Sequence, residues 1–345
     1  MKIRYLLFPF ALVAAVVPYN YPIFEYNVLV IGGGPAGLAA ADDLAQQNFK
    51  VCLFDSGKHR VDAARTIRRF PLVFDKPRPP RVLRKIMHEA LLNEPKVNLV
   101  EGKIIKIERT KPGPDGMFKV EIAASKKTTY LGKTVILAPG WEDEFPDIAG
   151  YEDAWSKVIF NDALSYGELD AGGRSSGILA VGDTAKVDVA MHLARLALGY
   201  TEKVVIFTND NSNLADKLNK HIKDSASKAL KKRIRVEDLR IERFAYRGEG
   251  PDKDMVVMFD KGGFSNQEFM IHWPKGRVNL DFIGELNLAL TSGGLIKVDP
   301  GTMKTSEEGV YAIGDCVSHR KTIIRGFYTA QLAVEAIVVS EGAKI

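Results

Sequence analysis

One segment near the start of the chain restricts its fold more than any other. Residues 28–31 form an apolar run that predicts a buried parallel strand, residues 35–47 have helical periodicity, and residues 51–54 predict the next strand. The turn between the first strand and the helix has the pattern GxGxxG and consists of Gly32, Gly33, Gly34, Pro35, Ala36 and Gly37. A strand, glycine turn, helix and strand in this order predict a nucleotide-binding βαβ unit.

The glycines of this turn have separate tasks in such a unit. Gly32 permits the sharp turn, Gly34 lets a pyrophosphate approach the backbone, and Gly37 allows the helix to pack closely on the strand. The helix N-terminus offers free N–H groups and a partial positive charge to the diphosphate. Asp55, at the end of the second strand, is placed to accept hydrogen bonds from an adenosine ribose, and its charge repels a 2′-phosphate. The unit therefore favours FAD or NAD over NADP.

The length of 345 residues suits two domains, and a second α/β pattern opens at Gly177. The predicted fold class is α/β, with two doubly wound Rossmann-type dinucleotide-binding domains. The first, FAD-binding domain is discontinuous and takes residues 23–150 and 288–345. The second, NAD(P)-binding-like domain takes residues 151–287. Residues 97–130 alternate apolar and polar side chains and predict a small antiparallel β meander.

Three motifs carry a family resemblance: GGGPAG at residues 32–37, APG at residues 138–140 and YAIGDC at residues 311–316. Together they resemble the class II pyridine nucleotide-disulfide oxidoreductases, in particular the thioredoxin reductase-like branch that includes fungal gliotoxin-type dithiol oxidases. The similarity also covers residues 54–60, 145–155 and 298–316, and so most of residues 26–340. It implies FAD as the cofactor and a homodimer.

The resemblance also implies a set of cofactor-binding residues. Asp315 would hydrogen-bond the ribityl chain, Gly314 would let the backbone approach the flavin, and the helix after Lys321 would point its N-terminus at the pyrimidine ring, where its dipole stabilises an anionic reduced flavin. The full predicted FAD-binding set is Gly32, Gly33, Gly34, Pro35, Ala36, Gly37, Asp55, Ser56, Arg60, Ala138, Gly140, Gly314, Asp315, Thr322 and Ile323.

The chain departs from the family at its redox dithiol. The two cysteine positions of the CxxC motif fall on Asp162 and Ser165, which cannot form a disulfide or attack one. Asp162 and Tyr166 are candidate proton donors or acceptors beside the flavin, and the alternative is that Asp162 only caps a short helix with Tyr166 on its surface. His319, shortly after the GDC motif, is the histidine we expect nearest to the flavin.

The second nucleotide unit is degraded. Residues 181–186 keep one glycine, Gly182, and residues 208–210 lack the basic side chains that hold an NADP 2′-phosphate. Use of NAD(P)H is therefore uncertain. Lys186 and Arg195 remain candidates for a phosphate contact, with plain surface placement as the alternative.

Composition excludes several classes of function. The net charge is +5, and the basic stretch at residues 217–240 lacks interleaved aromatic side chains, which disfavours nucleic-acid binding and favours a solvated helix face, although an acidic substrate or carrier would also suit it. The six histidines have no metal-ligand spacing. Cys52 and Cys316 are the only cysteines and are predicted to be inert buried thiols. The GxSxG pattern at residues 173–177 precedes a strand, so we interpret it as a loop and not a nucleophile elbow.

The first residues have the pattern of a secretory signal peptide. Lys2 and Arg4 precede an apolar run at residues 5–15, and Val13 and Ala15 are small residues at the spacing of a cleavage site. We expect a secreted or secretory-pathway protein. A signal anchor, or an N-terminal extension of a cytoplasmic protein, is the alternative. No other segment is expected to span a membrane.

Three functions are compatible with these features. The first is an FAD-dependent oxidoreductase of a small organic substrate that lacks a redox-active disulfide, and the resemblance suggests fungal secondary metabolism. The second is an NAD(P)H-dependent flavin reductase that passes electrons to a partner. The third is a non-catalytic FAD-binding scaffold.

Overall fold

A computed structural model describes residues 22–60, 79–111, 113, 116–123, 125–161, 172–225, 227–247, 254–284 and 286–342. The strands are β1 (Ile23–Ile31), β2 (Val51–Asp55), β3 (Val97–Glu101), β4 (Ile104–Arg109), β5 (Phe118–Ile122), β6 (Ser125–Leu137), β7 (Glu142–Glu144), β8 (Ile159–Phe160), β9 (Gly173–Leu179), β10 (Thr201–Phe207), β11 (Ile234–Glu237), β12 (Ile241–Arg247), β13 (Asp254–Phe259), β14 (Phe264–Gln267), β15 (Met270–Ile271), β16 (Lys275–Arg277) and β17 (Val310–Ala312). The helices are α1 (Pro35–Gln46), α2 (Pro80–Leu92), α3 (Tyr151–Ala154), α4 (Val187–Ala197), α5 (Ser212–Ser225), α6 (Lys228–Lys231) and α7 (Ile323–Gly342). Single 3-10 turns cover Gly182–Thr184 and Gly314–Val317.

The first sheet has the strand order β3-β2-β1-β6-β5-β4, with β17 also paired to β6. Strands β3, β2, β1, β6 and β17 are parallel, whereas β4, β5 and the first half of β6 form an antiparallel meander. The long strand β6 therefore belongs to both parts. Because β17 returns to this sheet after the whole second sheet has been built, the first sheet is discontinuous in sequence.

Alternating side chains give this sheet two different faces. Val28 and Val30 pack against helices α1 and α7, while Leu29 and Ile31 pack against the meander and the segment after β16. Successive side chains of a strand point to opposite faces, so one apolar run supplies both cores. The result is a layer of helices, a layer of parallel strands and a layer of antiparallel strands.

The second sheet is entirely parallel, in the order β11-β10-β9-β15-β8. Val204 and Ile206 face helices α4 and α5, and Val205 and Phe207 face α3 and the antiparallel sheet β12-β13-β14. The chain thus repeats the same three-layer plan. The predicted fold class, α/β with two Rossmann-type sheets and a small antiparallel meander, is confirmed.

Two local predictions were wrong. Residues 97–101 form the outermost parallel strand, β3, rather than the start of the meander. The GxSxG stretch forms the first part of strand β9 rather than a loop. Both serines have side-chain partners on other strands: Ser176 shares a 2.7 Å hydrogen bond with Thr201 of β10, and Ser175 donates one of 2.8 Å to Gln267 of β14. A serine inside a strand is not a nucleophile elbow, which must follow one.

Two connections hold the halves of the molecule against each other. Strands β7 and β16 pair antiparallel where the chain passes between the two sheets. In addition, Leu83 of α2 and Ile323 of α7 pack into the helix-side core of the second sheet, which contains Phe160 and Met191. This contact, which we call the interdomain seam, places the end of β8 beside the first sheet.

Helix α7 is long and apolar enough to cross a membrane by length and composition, over Ile323–Glu341 with a mean hydropathy of 1.3. The expectation that no such segment follows the N-terminal run was therefore wrong by that measure. Ala330, Ala333 and Ile337 of this helix are buried against α1 and the first sheet. Core packing accounts for these apolar positions.

Candidate functional site

The carboxyl ends of β1, β2, β6 and β17 open into one groove of about 1150 Å³. Open α/β sheets bind their ligands at this edge. The groove exceeds the range of roughly 300–1,000 Å³ typical of small-molecule sites. It is lined by every residue of the predicted cofactor set, namely Gly32, Gly33, Gly34, Pro35, Ala36, Gly37, Asp55, Ser56, Arg60, Ala138, Gly140, Gly314, Asp315, Thr322 and Ile323.

The glycine turn forms the floor of the groove. A Cβ on Gly32, which has a φ of +119°, would lie 2.1 Å from the carbonyl oxygen of Ala138, and one on Gly37 would lie 1.9 Å from that of Gly32. A Cβ on Gly34, in contrast, would meet no protein atom within 4 Å. The turn is thus tight on its protein side and open on its groove side, with the uncapped N-terminus of α1 behind it, as a diphosphate requires.

Asp55 lies beside the turn and holds a buried, ionised carboxylate. It accepts hydrogen bonds from the Gly57 amide, at 2.8 Å, and from Nε2 of His59, at 3.3 Å. His88 Nε2 is also 3.3 Å away, although without hydrogen-bond geometry. Burial opposes ionisation, but the His59 and Gly57 hydrogen bonds and the charges of His59 and His88 outweigh it and lower the pKa of Asp55 to about 2. Neither histidine was predicted as a partner of Asp55, although His59 stands four residues after it.

Arg60 joins two carboxylates of the groove lining, Asp143 and Asp315. Its Nε and Nη2 donate hydrogen bonds of 2.7 Å to the two carboxylate oxygens of Asp143, and its Nη1 lies 3.4 Å from Asp315. Burial raises the pKa of Asp315 above its ordinary value, against the opposing charges of Arg60 and Lys321. Asp143 was not predicted, because nothing in its acidic surroundings at residues 142–144 marks one carboxylate as the partner of Arg60.

A second helix N-terminus closes the far end of the groove. Thr322 precedes α7, and its Oγ1 accepts a hydrogen bond of 3.3 Å from the Arg325 amide, in the manner of an N-cap. Gly314, with a φ of +79°, lets the segment after β17 pack closely on α1. A Cβ at this position would lie 3.0 Å from the Cβ of Ala36. The N-termini of α1 and α7 therefore converge on one space, which concentrates positive potential in it.

Lys321 lies in the same lining, immediately before that helix. Its ammonium donates hydrogen bonds to the carbonyl oxygens of Asp315, at 3.2 Å, and Ser318, at 2.9 Å. The same Nζ lies 3.7 Å from the centre of the Trp141 ring. Burial lowers the pKa of Lys321 to about 8.

Of the three predicted catalytic residues, His319 is the one that lies within the described part of the chain. His319 is not part of the groove lining and lies against Gly293, where an added Cβ would be 2.8 Å from its ring. The expected place of His319 in the lining is thus not observed, whereas His59 lines the groove beside Asp55. Asp162 and Tyr166 lie outside the described residues.

The glycine turn of the second sheet is closed by its own neighbours. Thr184 Oγ1 accepts a 2.9 Å hydrogen bond from the Trp273 amide. His272 Nε2 lies 3.1 Å from the carbonyl oxygen of Val181, and its Nδ1 lies 2.6 Å from the Tyr151 hydroxyl. If His272 Nε2 donates to Val181, its Nδ1 accepts from the Tyr151 hydroxyl, and the ring is neutral. Burial lowers the pKa of His272 to about 4, in agreement with a neutral ring. This turn is tied to the chain after β15.

The loop after β10 offers acidic rather than basic groups. Thr208 Oγ1 donates a 2.8 Å hydrogen bond to Asp238, and Asn209 Oδ1 accepts one of 2.8 Å from the Ile241 amide. Asn209 and Asp210 have φ values of +51° and +66°, which fixes the loop in an unusual conformation. The two carboxylates beside this loop, Asp210 and Asp238, disfavour a 2′-phosphate.

The first groove fits an extended FAD. Asp55 ends β2 and Asp315 follows β17, and the strand order β2-β1-β6-β17 separates them by three strand spacings, or about 14 Å. The glycine turn lies between these two carboxylates, after β1. Three features therefore follow one another along a single edge of the sheet. They are Asp55 as an acceptor for ribose, the glycine turn as a site for diphosphate, and Asp315 beyond it.

Comparison with known proteins places this geometry in a family. A protein-family model described as pyridine nucleotide-disulphide oxidoreductase matches residues 26–336. The chain is 31% identical over 319 residues to the thioredoxin reductase aclD of Aspergillus oryzae, covering 92% of this chain and 96% of the relative. It is 28% identical over 303 residues to the thioredoxin reductase sirT of Leptosphaeria maculans, covering 87% and 89%.

A solved structure extends the match to three dimensions. The crystal structure of an oxidoreductase from Agrobacterium tumefaciens superposes with a TM-score of 0.74 at 25% identity, over 92% of this chain and 99% of that one. The family match spans both sheets and the whole groove edge, from β1 to α7. The chain is therefore an FAD-binding member of the pyridine nucleotide-disulphide oxidoreductase family, of the thioredoxin reductase-like branch.

Proposed function

We propose that this chain is an FAD-dependent oxidoreductase that oxidises a small organic substrate without a redox-active disulfide. The position of its two cysteines carries the proposal. Cys52 lies in β2 and Cys316 follows β17, so three strand spacings, about 14 Å, separate them. A disulfide needs Cα atoms within about 7 Å. Neither cysteine belongs to the lining of the groove.

Both thiols are also chemically silent. Each is fully buried, and burial raises the pKa of Cys52 and of Cys316 to about 12. The thiolate is the form that attacks a disulfide, so almost none of the reactive form exists near neutral pH. This supports a reaction in which the substrate meets the flavin directly rather than through a protein dithiol.

The chemistry that bound FAD supplies is acceptance of a hydride, that is two electrons and one proton. The substrate loses that hydride and one further proton, and the electrons then pass to dioxygen or another acceptor. The residues of the groove orient the reactants, with Asp55, Arg60 and Asp315 spaced along its edge. Asp162 and Tyr166 are proposed acceptors for the substrate proton.

The second sheet supports the substrate, rather than NAD(P)H, as the source of electrons. The turn at Gly182 is tied down by Trp273 and His272, and the loop after β10 carries Asp210 and Asp238 where a 2′-phosphate would need cations. The resemblance to gliotoxin-type dithiol oxidases supports a substrate from fungal secondary metabolism. A homodimer and a secretory location remain predictions.

Anaerobic absorbance spectroscopy of the FAD-loaded protein tests the proposal. We expect the flavin band to persist after addition of NADH and then of NADPH, and the protein not to reduce the disulfide reagent DTNB with either nucleotide. When low-molecular-weight organic compounds are then added one at a time, a compound that is a substrate should bleach the flavin band. Air should restore the band.

Two results would contradict the proposal. Rapid bleaching by NADH or NADPH would identify a nucleotide-driven flavin reductase. A purified protein that takes up no FAD would point to the loss of redox function altogether. A Cys52→Ser, Cys316→Ser double variant is the matched control, because the proposed reaction should proceed unchanged in it.

A further inference from the structure

A half-buried ammonium group, that of Lys321, lies at the end of the groove away from Asp55. Lys321 follows β17 by several residues, and its Nζ is bonded to the backbone of Asp315 itself. Asp55 ends β2, about three strand spacings, or 14 Å, from that position. With the adenosine ribose at Asp55 and the diphosphate at the glycine turn, the flavin ring must lie at the end that contains Lys321.

The surroundings of Lys321 fix the position of its charge. Two of its three N–H donors bond the carbonyl oxygens of Asp315 and Ser318, and the Trp141 ring covers the ammonium at 3.7 Å. A lysine side chain in solution samples many rotamers, whereas this one is held by two hydrogen bonds and a cation–π contact. One donor remains for a bound molecule.

Among the described residues, no carboxylate is hydrogen-bonded to the Lys321 ammonium. Both of its bonded acceptors are neutral carbonyl oxygens, not carboxylates. The closest charged groups, Asp315, Arg60 and Asp143, are joined to one another through the Arg60 guanidinium. A positive charge held in place acts on a neighbouring group whose own charge changes.

We propose that Lys321 sets the reduction potential of the bound flavin, by holding a positive charge against the part of the ring system that becomes negative on reduction. Transfer of a hydride adds two electrons and one proton, so the flavin gains one negative charge. A fixed cation favours that reduced form and leaves the neutral oxidised form almost unaffected. This inference needs only FAD binding and holds for any substrate.

The lowered pKa of Lys321, about 8, agrees with this placement. Burial disfavours the ammonium form, and the nearby Asp315 carboxylate favours it. A flavin that becomes negative would stabilise the ammonium again. The lysine charge and the flavin charge are thus coupled, and each favours the other.

The test is a measurement of the flavin midpoint potential in the FAD-loaded protein and in Lys321→Met, Lys321→Arg and Lys304→Met variants. Lys304 is an exposed lysine outside the groove and serves as the matched control. We expect Lys321→Met to favour the reduced flavin at least tenfold less, which is about 30 mV for a two-electron couple. Lys321→Arg should retain most of the wild-type potential, and Lys304→Met all of it.

Sulfite binding gives a second measurement that does not depend on turnover. Sulfite adds to oxidised flavin and leaves a negative charge on the ring, so its dissociation constant should rise at least tenfold in Lys321→Met and remain near the wild-type value in Lys321→Arg. A merely structural role for Lys321 would change FAD affinity or stability but neither of these quantities.

Unchanged potential and unchanged sulfite affinity in Lys321→Met would overturn the proposal. If that variant does not retain FAD, the wild-type potential measured from pH 6 to 10 decides. Loss of the Lys321 charge near pH 8 should make the potential fall more steeply there than below pH 7, and a slope without such a break would also overturn it. Lys321→Gln, with a shorter polar side chain, should lack the break.

Discussion

Arg60 and Asp143 face each other with two parallel hydrogen bonds of 2.7 Å. Asp143 lies on β7, the strand that leads out of the first sheet, and its side chain is only 4% exposed. The pair therefore ties the groove edge to the passage between the two halves of the chain. A planar guanidinium meeting a carboxylate in this way fixes direction as well as distance.

Removal of one partner from this pair should destabilise the protein. Asp143→Ala leaves a largely buried guanidinium without its main acceptor, which costs about 3 kcal/mol in comparable buried pairs. Urea unfolding of the FAD-free protein measures the free energy of unfolding. Arg235→Met is the control: Arg235 and Glu237 form an exposed pair, which we expect to be worth less than about 1 kcal/mol. An equal loss of unfolding free energy in the two variants would show that the Arg60–Asp143 pair stabilises the fold no more than an exposed ion pair does.

Gly33→Ala should abolish tight FAD binding. An added Cβ would lie 2.2 Å from the carboxylate carbon of Asp55, so either the turn or the carboxylate must move. Titration of the FAD-free protein with FAD, followed by flavin fluorescence, should show affinity lowered at least a hundredfold. Gly301→Ala is the control, because a Cβ there meets its nearest neighbour at an ordinary 3.6 Å. A Gly33→Ala protein with normal affinity would place the diphosphate elsewhere.

The Asp55 carboxylate should contribute stability that depends on pH. Its pKa is lowered to about 2 in the folded chain from an ordinary value of 3.8, so the contribution is complete above about pH 4 and is lost as the pH falls toward 2. The shift corresponds to about 2 kcal/mol. We expect the difference in unfolding free energy between wild type and Asp55→Asn to shrink from pH 6 to pH 3. A difference that is constant or grows on acidification would contradict this assignment.

The thiols of the native protein should not react with DTNB at neutral pH. Cys52 and Cys316 are buried, and burial raises the pKa of each to about 12. After unfolding in guanidinium chloride both should react at the rate of ordinary free thiols. The count of reactive thiols before and after unfolding measures this directly. Fast reaction of either cysteine in the folded state would reopen a thiol mechanism.

The sequence predicted those parts of the fold that depend on local pattern. Residues 28–37 predict the strand and the start of the helix because an uninterrupted apolar run and a glycine turn are both local features of the sequence. The fifteen predicted groove residues converge because they follow parallel strands or lie at the starts of helices at one edge of the sheet. The first part of β9, residues 173–177, was missed because its serines are satisfied by partners in β10 and β14 that no local pattern reveals.

The side-chain partners within the site were harder to predict. His88 reaches Asp55 from α2, and Asp143 reaches Arg60 from β7, and neither contact follows from spacing along the chain. Lys321 was noticed only as part of the segment before a helix, since nothing in a sequence shows that an ammonium will be enclosed by a ring and two carbonyl groups. Such contacts depend on tertiary packing, which composition and periodicity do not encode.

The interdomain seam determines whether the two halves of this protein can fold as separate fragments. Leu83 and Ile323 belong to one half by sequence and fill the interior of the other. A fragment that spans only the second sheet would expose the apolar core surface that these two side chains cover. The remaining fragment would expose the two side chains themselves to solvent. Neither piece would then be an autonomous unit, so heat or denaturant should melt both halves in a single transition.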